Sequence, residues 1–395
     1  MNLNVTVLPF RKSGSGICTY HVQLAKILDD NDVGVTVVGF GDRPSDFEAR
    51  PGIKFVSLGQ DPTFLDWVGG VQTTYWFIRS RIKKYLSHPD SKSDLFHFIY
   101  PMSTLPRCIT KAPTISTCWG FASPVDALKD AKVRYNGIWL FLGALADAQS
   151  SIGDLRGFKS ADALISTTVA GAEYWRNITG KPTKYLPVPI GDVADVLHRA
   201  SKSRSERVIF TFAERELDRP RNNLHVLLDG VQSLSEHYRD LFEIRIVGYP
   251  SRIIAARVKS LQQIGFHVEL YNYLSRDQFL SLLSQTDVFV VLRYIKDQPG
   301  LTIIEALSFG IPIIAPDMPA YRDFLIDGVT GLGIDNFSPE QVADSLRCVI
   351  DDRDLLNRLK DGARLQFEST NSSHVSGSLF LKFYEDLLSN QLRDC

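Results

Sequence analysis

Short runs of β-branched and other apolar residues alternate with longer amphipathic stretches along most of the chain. Buried parallel strands form continuous apolar runs, whereas helices that cover a sheet repeat apolar residues every three to four positions. In the first half of the chain this pattern predicts strands at 5–8, 33–40, 55–58, 95–100, 114–118 and 163–168. It also predicts helices between them, at 20–29 and 75–86 among others. Strands separated by helices need crossover connections, so we expect a parallel sheet covered on both faces.

The same alternation begins again in the second half of the chain. It predicts strands at 208–213, 242–248, 268–271, 288–292 and 312–315, and helices at 223–238, 252–264, 276–285 and 301–309. A stretch with two prolines and a glycine, 185–191, and the polar residues 199–207 separate the two series, as expected of a linker. The predicted fold class is therefore α/β, with two Rossmann-like, doubly wound parallel-sheet domains and a ligand-binding cleft between them.

The length of 395 residues is enough for two such domains. We predict them at 1–190 and 191–372, followed by a C-terminal segment, 373–395, whose helix at 379–388 packs on either domain and could cross back to the first. With 44% hydrophobic and 23% charged residues, the composition excludes disordered, fibrous and membrane-spanning classes.

Charge is distributed unevenly between the two halves. The net charge of −1 argues against a nucleic-acid binder with a uniformly basic surface. Residues 1–190 hold 21 basic and 16 acidic side chains, whereas 191–395 hold 23 and 29. Either the first half faces an anionic partner, or the difference is ordinary scatter of surface charge.

The five cysteines are widely spaced and form no C-x-x-C pair, which favours a reducing compartment. The first residues alternate like a strand and lack the pattern of a signal peptide. The longest apolar run, 137–146, is about half of the ~20 residues that a spanning helix needs. We therefore expect a cytoplasmic protein that could lie peripherally on a membrane.

The segment after the strand at 288–292 is the most informative about chemistry. A helix is predicted to begin near Leu301 and to end at Gly310. Its free amides and positive dipole end, at the tip of the sheet, suit a diphosphate. Glu305, one turn into the helix, and Asp297, on the loop, can then border one pocket and accept hydrogen bonds from sugar hydroxyls. Alternatively, Glu305 complements the helix dipole and Gly310 caps the helix end, with no ligand involved.

This segment resembles the E-x7-E signature of retaining glycosyltransferases of family 4, in the glycosyl transferases group 1, which have the GT-B fold. Asp297 stands at the first acidic position, one methylene shorter than the usual glutamate, and Glu305 at the second. Further segments resemble the same family in the same order, at 160–168, 185–191, 286–290 and 310–315. The resemblance covers nearly the whole chain.

The resemblance implies an acceptor-side first domain and a second domain that binds a nucleotide-diphosphate sugar without a metal or other cofactor. Glu305 would bind the ribose, Asp297 the transferred sugar, and Tyr273 would lie in the loop that holds the base. The phosphates would be held by the amides of three consecutive residues, Gly300, Leu301 and Thr302.

The family also has an arginine followed by a lysine opposite the diphosphate, where the two cations neutralise the charge of the leaving group. Residues 214–223 resemble this loop, and Arg215 fits its first position. Asn222 stands where the lysine would align, so we expect Arg221, or with less support Arg219, to supply the second charge. These arginines could also belong to a solvated loop.

In the first domain, Gly14 and Gly16 resemble the glycine-rich loop of the family, although a plain strand-to-helix turn would use the same glycines. His97 could point into the sugar or acceptor pocket, but a hydrogen-bonded core histidine is the favoured interpretation. Trp119 replaces a histidine of many relatives. Its indole can stack on a sugar ring but cannot shuttle a proton at neutral pH.

Two segments suggest contact with an anionic membrane or a lipid-linked acceptor. Residues 75–86 combine aromatic and basic side chains on a predicted helix, and 138–142 are strongly apolar. The favoured alternative is an ordinary helix that buries its apolar face in the domain core.

We therefore predict a retaining, metal-independent, hexosyltransferase-type enzyme of polysaccharide or glycolipid biosynthesis. It would move a sugar from a nucleotide-diphosphate sugar to a hydroxyl of a lipid-linked or polysaccharide glycan, with Asp297, Arg215 and Arg221 as catalytic residues. Two alternatives remain open: a GT-B sugar-nucleotide epimerase, and a non-catalytic partner subunit that binds sugar nucleotides.

Overall fold

A computed structural model of the chain describes residues 3–10, 16–60, 70–89, 91–99, 112–118, 152, 155–191, 206–294, 300–335 and 337–389. Internal contacts divide the chain into two units. The first unit comprises Met1–Ile190 together with Ser373–Cys395, and the second comprises Gly191–Ser372.

The first unit is built on a parallel sheet, which has seven strands among the described residues. The strands are β1 (Asn4–Phe10), β2 (Gly34–Gly39), β3 (Ile53–Ser57), β4 (Leu95–Phe98), β5 (Thr114–Thr117), β6 (Ala163–Ser166) and β7 (Thr183–Tyr185). Their spatial order is β3-β2-β1-β4-β5-β6-β7, and every pair is parallel. The helices described between them are α1 (Gly16–Asp29), α2 (Gly70–Leu86) and α3 (Val169–Thr179). The central strands are buried on both faces, which explains their continuous apolar character.

The second unit repeats this architecture. Its strands are β8 (Val208–Glu216), β9 (Phe242–Tyr249), β10 (Val268–Tyr271), β11 (Val288–Val290), β12 (Ile313–Pro316) and β13 (Gly331–Ile334). Its helices are α4 (Leu224–Ser233), α5 (Arg252–Gln263), α6 (Arg276–Leu283), α7 (Leu301–Ser308), α8 (Pro339–Asp351) and α9 (Arg353–Thr370). The parallel strands are ordered β10-β9-β8-β11-β12-β13, the order of a doubly wound nucleotide-binding sheet. Both sheets thus confirm the predicted α/β class.

The strand order reverses between β8 and β11, and we call this place in the second unit the switch point. Open α/β sheets bind ligands outside the carboxyl ends of their strands at such a point. Below it, Phe210 and Phe212 of β8 and Val290 of β11 lie in a large apolar core with α4 and α8. This core fixes the strands whose ends carry the charged residues described below.

The last described helix, α10 (Ser373–Leu388), lies within the first unit. It packs on α1 so closely that a Cβ on Gly377 would lie 2.9 Å from Cγ2 of Ile27. Phe380 and Tyr384 on the same helix are buried. Residues 373–388 therefore complete the core of the unit that contains the N-terminus.

The described helices include none that combines the length and the apolar character needed to span a bilayer. The side chains of α2 that the structure describes support the favoured interpretation of 75–86. Ile78, Ile82 and Leu86 are buried against the sheet, while Lys83 and Lys84 face solvent. The apolar segment 138–142 lies outside the described residues.

Candidate functional site

The switch point places the ends of β8 and β11 side by side. Their parallel register pairs Val288 with Phe210 and Val290 with Phe212. β8 continues past this pairing to Glu216, so the charged sequence Glu214-Arg215-Glu216 lies at the carboxyl edge of the sheet. The chain leaving β11 reaches α7 through 295–299, which lie outside the described residues together with Asp297.

The N-terminus of α7 begins immediately after this gap. Gly300 is its N-cap, with φ −64° and ψ 157°, and no side chain of the described residues caps the helix. Gly300, Leu301 and Thr302 are partly exposed. Uncapped helix amides carry partial positive charge and suit an anion, because nothing else in the helix can accept their hydrogen bonds.

Glu305 lies one turn into α7 and is buried, with its side chain 3% exposed. Its Oε1 accepts a hydrogen bond from Nη1 of Arg276, the first residue of α6. Ser275 and Gln278 form a capping box that fixes this helix start, and thereby the place of Arg276. A buried carboxylate needs such a partner, since an unpaired charge is costly to desolvate. Arg276 therefore holds the Glu305 side chain beside the helix start.

Arg215 lies at the end of β8 with its side chain exposed. Within the described parts of the chain it makes no ion pair or side-chain hydrogen bond. Arg219 forms an ion pair with Glu216. Its Nε and, at 2.8 Å, its Nη2 donate hydrogen bonds to the Glu216 carboxylate. Arg221 is partly buried, and its carbonyl accepts from the amide of Tyr294 at 2.8 Å, which links its loop to the segment after β11.

Asn222, at the position where the lysine was expected, is only 1% exposed. Its Nδ2 donates to the carbonyl of Glu216 at 2.7 Å, and its amide N donates to the carbonyl of Arg219 at 2.9 Å. The Asn222 side chain therefore stabilises the loop that contains Arg219 and Arg221 by hydrogen bonding inside it. It could not be replaced by a solvent-facing cation without opening that loop.

Two charged residues at the switch point, Glu214 and Arg293, were not predicted from the sequence. Arg293 follows β11, and its Nη1 lies 3.9 Å from Oε2 of Glu214. Burial raises the pKa of the Glu214 carboxyl, while the positive charges of Arg293, Arg221 and Arg219 oppose that rise. Glu214 is thus a carboxylate set among arginines, and nothing in the local sequence indicates that Arg293, 79 positions along the chain, would reach it.

Tyr273, predicted to lie near the base, stacks in parallel on Tyr249 at the end of β9. The ring centroids are 5.4 Å apart and the planes differ by 5°. Both side chains are about half exposed. An exposed pair of parallel rings offers a flat apolar surface, and aromatic ligands prefer such surfaces for offset stacking.

In the first unit, the structure describes two of the four predicted site residues. Gly16 is the first residue of α1, whereas Gly14 and Trp119 lie outside the described residues. His97 is fully buried, with Nδ1 2.7 Å from the hydroxyl of Tyr384 and Nε2 2.7 Å from Oγ1 of Thr117. Burial lowers the pKa of His97 to about 3, so the ring is neutral. The contacts of His97 are those of a hydrogen-bonded core histidine, since both ring nitrogens have partners inside the unit.

No group of three or more His, Cys, Asp or Glu side chains is arranged to hold a metal ion among the residues the structure describes. The positively charged groups described at the switch point are arginines and the amides at the start of α7.

Comparison with known proteins finds similar sequences and similar folds. Residues 194–366 match the family model of glycosyl transferases group 1. The chain is 23% identical over 391 residues to D-inositol 3-phosphate glycosyltransferase of Geodermatophilus obscurus, covering 90% of this chain and 83% of that protein. Other curated relatives are matched over 63%, 41% and 32% of their own length, so the chain spans less than two thirds of them.

Solved structures show the same fold. HepE of Anabaena in complex with UDP-glucose superposes with a TM-score of 0.65 at 13% identity, covering 98% of this chain and 100% of that one. WaaG, a glycosyltransferase involved in lipopolysaccharide biosynthesis, gives 0.66 at 15% identity, covering 98% and 99%. Residues 194–366 therefore resemble glycosyl transferases group 1, and the chain has the GT-B fold of these solved structures.

Proposed function

We propose that this chain is a retaining, metal-independent glycosyltransferase of family 4 that uses a nucleotide-diphosphate sugar as donor. The observation that carries the proposal is the composition of the switch point. A helix N-terminus with a glycine as its N-cap, a buried carboxylate one turn inside it, and an exposed arginine at the end of the neighbouring strand lie at one edge of one sheet. Those three features match the phosphates, the ribose hydroxyls and the leaving-group charge of such a donor.

The chemistry required of these residues is mainly electrostatic. As the bond to the anomeric carbon breaks, negative charge collects on the departing diphosphate. Arg215, Arg221 and the α7 amides would stabilise that charge without moving, which is where fixed donors lower a barrier most. Glu305, held by Arg276, would accept the ribose hydroxyls, and Asp297 would contact the transferred sugar. The acceptor hydroxyl would then attack from the same face and give its proton to the departing diphosphate, so no side chain has to form a covalent intermediate.

For the acceptor, we propose a hydroxyl of a lipid-linked or polysaccharide glycan. This proposal is supported by the similarity of the fold to WaaG, a glycosyltransferase involved in lipopolysaccharide biosynthesis. The donor proposal has support of the same kind, since another relative was solved with UDP-glucose bound.

Calorimetric titration of the purified chain with UDP, GDP and ADP, with and without a chelator, tests the donor site. One nucleotide should bind, the chelator should have no effect, and Glu305→Ala should abolish binding. Glu236→Ala, at an exposed position of the same unit, is the matched control and should bind as the wild type. Failure of all three nucleotides to bind would contradict the proposal.

Product analysis then separates the reaction types. Incubation of the matching sugar nucleotide with glycan and glycolipid acceptors should give a glycoside with the anomeric configuration of the donor, which proton NMR reports. An isomerised sugar nucleotide would indicate an epimerase, and tight binding without any product would indicate a binding subunit. Either result would overturn the transferase proposal.

A further inference from the structure

Arg293 occupies a place at the switch point that the proposed donor site does not use. It lies three residues beyond Val290, the end of β11, beside the extension of β8 that carries Glu214 and Arg215. Both strands are parallel and paired up to this edge, so their carboxyl ends deliver Arg293 and Arg215 to the same side of the sheet.

The backbone around Arg293 is fixed from three directions. The carbonyl of Leu292 accepts from Nδ2 of Asn223 at 2.9 Å, and the amide of Tyr294 donates to the carbonyl of Arg221 at 2.8 Å. The carbonyl of Arg293 itself accepts from the hydroxyl of the buried Tyr321 at 2.7 Å. The backbone at Arg293 is therefore held in place beside the loop at 219–223, which carries Arg219 and Arg221.

The guanidinium of Arg293, in contrast, is poorly satisfied. Its contact with Glu214, at 3.9 Å, is too long for a hydrogen bond, and its Nε is buried without a hydrogen-bond partner among the described residues. The side chain is 27% exposed, so a ligand can reach it. Buried donors without acceptors cost free energy, and a guanidinium offers five donors in a geometry that matches phosphate oxygens.

Charge at this edge is also arranged for an anion. Arg219 is already paired with Glu216, and Asn222 is neutral and turned inward. Among the described residues, Arg215 makes no ion pair, and the guanidinium of Arg293 faces Glu214 at 3.9 Å. The loop has Asn222 where the arginine-then-lysine pattern it resembles has the lysine, and the neighbouring strand brings an additional arginine to the same edge.

We propose that Arg293 binds the diphosphate of the donor and replaces, from β11, the positive charge that Asn222 does not provide. Glu214 lies near the guanidinium without a hydrogen bond to it, and the incoming diphosphate would become the hydrogen-bonding partner of Arg293. This inference rests on the proposed function, because it assigns a further residue to the same donor site. The positively charged residues of the donor site would then come from the ends of two strands, β8 and β11, and not from one loop alone.

The test compares a ligand that contains the diphosphate with one that lacks it. The full-length chain is titrated calorimetrically with whichever of UDP, GDP and ADP the wild type binds, and with the corresponding nucleoside. Arg293→Gln should weaken diphosphate binding about tenfold or more and change nucleoside binding less than about twofold, since one charge-assisted contact of this kind is lost. Arg293→Lys should bind the diphosphate more tightly than Arg293→Gln but less tightly than the wild type, because the lysine keeps the positive charge and lacks the bidentate geometry of the guanidinium.

Glu214→Gln provides an independent measurement in the opposite direction. It removes the negative charge that competes for Arg293, so diphosphate binding should become tighter while nucleoside binding stays unchanged. Arg358→Gln, at an exposed position of α9, is the matched control and should match the wild type. Thermal unfolding of each variant confirms that it is folded.

Three results would overturn the proposal. They are unchanged diphosphate binding by Arg293→Gln, an equal loss of nucleoside and diphosphate binding in that variant, and weaker diphosphate binding by Glu214→Gln. Each of these leaves the donor site itself intact if the wild type binds a nucleotide. A wild type that binds none of the three diphosphates contradicts the proposed function and, with it, the role of Arg293.

Discussion

Protonation of His97 should destabilise the first unit below neutral pH. The ring is fully buried, and burial lowers its pKa from 6.5 to about 3. The folded state thus binds fewer protons than the unfolded state between these two values. The stability contributed by the neutral ring is fully present above pH 6.5 and is lost as the pH falls toward 3. A pKa difference of one unit corresponds to about 1.4 kcal/mol, so acidification from pH 6.5 to about 4.5 should cost about 2 kcal/mol through this one residue.

The chain offers a convenient probe for this measurement. All five tryptophans lie within residues 1–190, so urea unfolding followed by tryptophan fluorescence reports on the first unit alone. The free energy of unfolding of the wild type and of His97→Gln is measured at several values between pH 6.5 and 4.5. The variant should lose about 2 kcal/mol less than the wild type over this interval, because a glutamine has no proton to gain.

His88→Gln is the matched control, since His88 is an exposed histidine of the same unit. It should follow the wild-type dependence. The reasoning would be refuted by parallel loss of stability in the wild type and His97→Gln. A second buried histidine, His21, whose pKa burial also lowers to about 3, should give a further difference of the same sign in His21→Gln.

Three further predictions concern the second unit. Arg276→Met removes the cation that holds Glu305, so we expect nucleoside diphosphate binding to weaken about fivefold or more by calorimetry; binding equal to the wild type would show that Glu305 needs no partner. Tyr249→Ala removes one ring of the stack with Tyr273 and should weaken nucleotide binding about three- to tenfold, whereas Tyr249→Phe keeps the ring and should not; equal affinities of the two variants would contradict a stacking role. Asn222→Lys places an ammonium in a buried position, so scanning calorimetry should show a loss of about 2 kcal/mol or more and calorimetric titration no gain in diphosphate affinity; a stable variant that binds more tightly would mean that the side chain can reach the ligand.

The sheets were predictable because the central strands are buried on both faces. Burial on both faces gives continuous apolar runs, which can be recognised in the sequence without knowledge of the loops and turns around them. The short edge strands β7 and β13 were not predicted, since three or four partly exposed residues carry little signal. The predicted helix at 223–238 is shorter in the structure, where α4 ends at Ser233 because Leu234 turns to an extended conformation.

The candidate site was predictable only where its residues are close in sequence. Gly300 and Glu305 belong to one helix, so their relation follows from the helical repeat. The pairing of Glu305 with Arg276, and of Glu214 with Arg293, joins different strands and helices, and sequence spacing does not encode such contacts. His97 illustrates the same limit, since its partner Tyr384 lies 287 positions away in the sequence.

The return of α10 to the first unit sets the order in which this protein can be completed during synthesis. The ribosome makes β1 to β7 first and then the entire second unit, and only afterwards the helix whose Tyr384 meets His97. Domains usually fold as they emerge, with the N-terminal one first. Here the second unit can mature while the nascent first unit still exposes the face of α1 that Gly377 later covers, so the part translated earliest is the last to be finished.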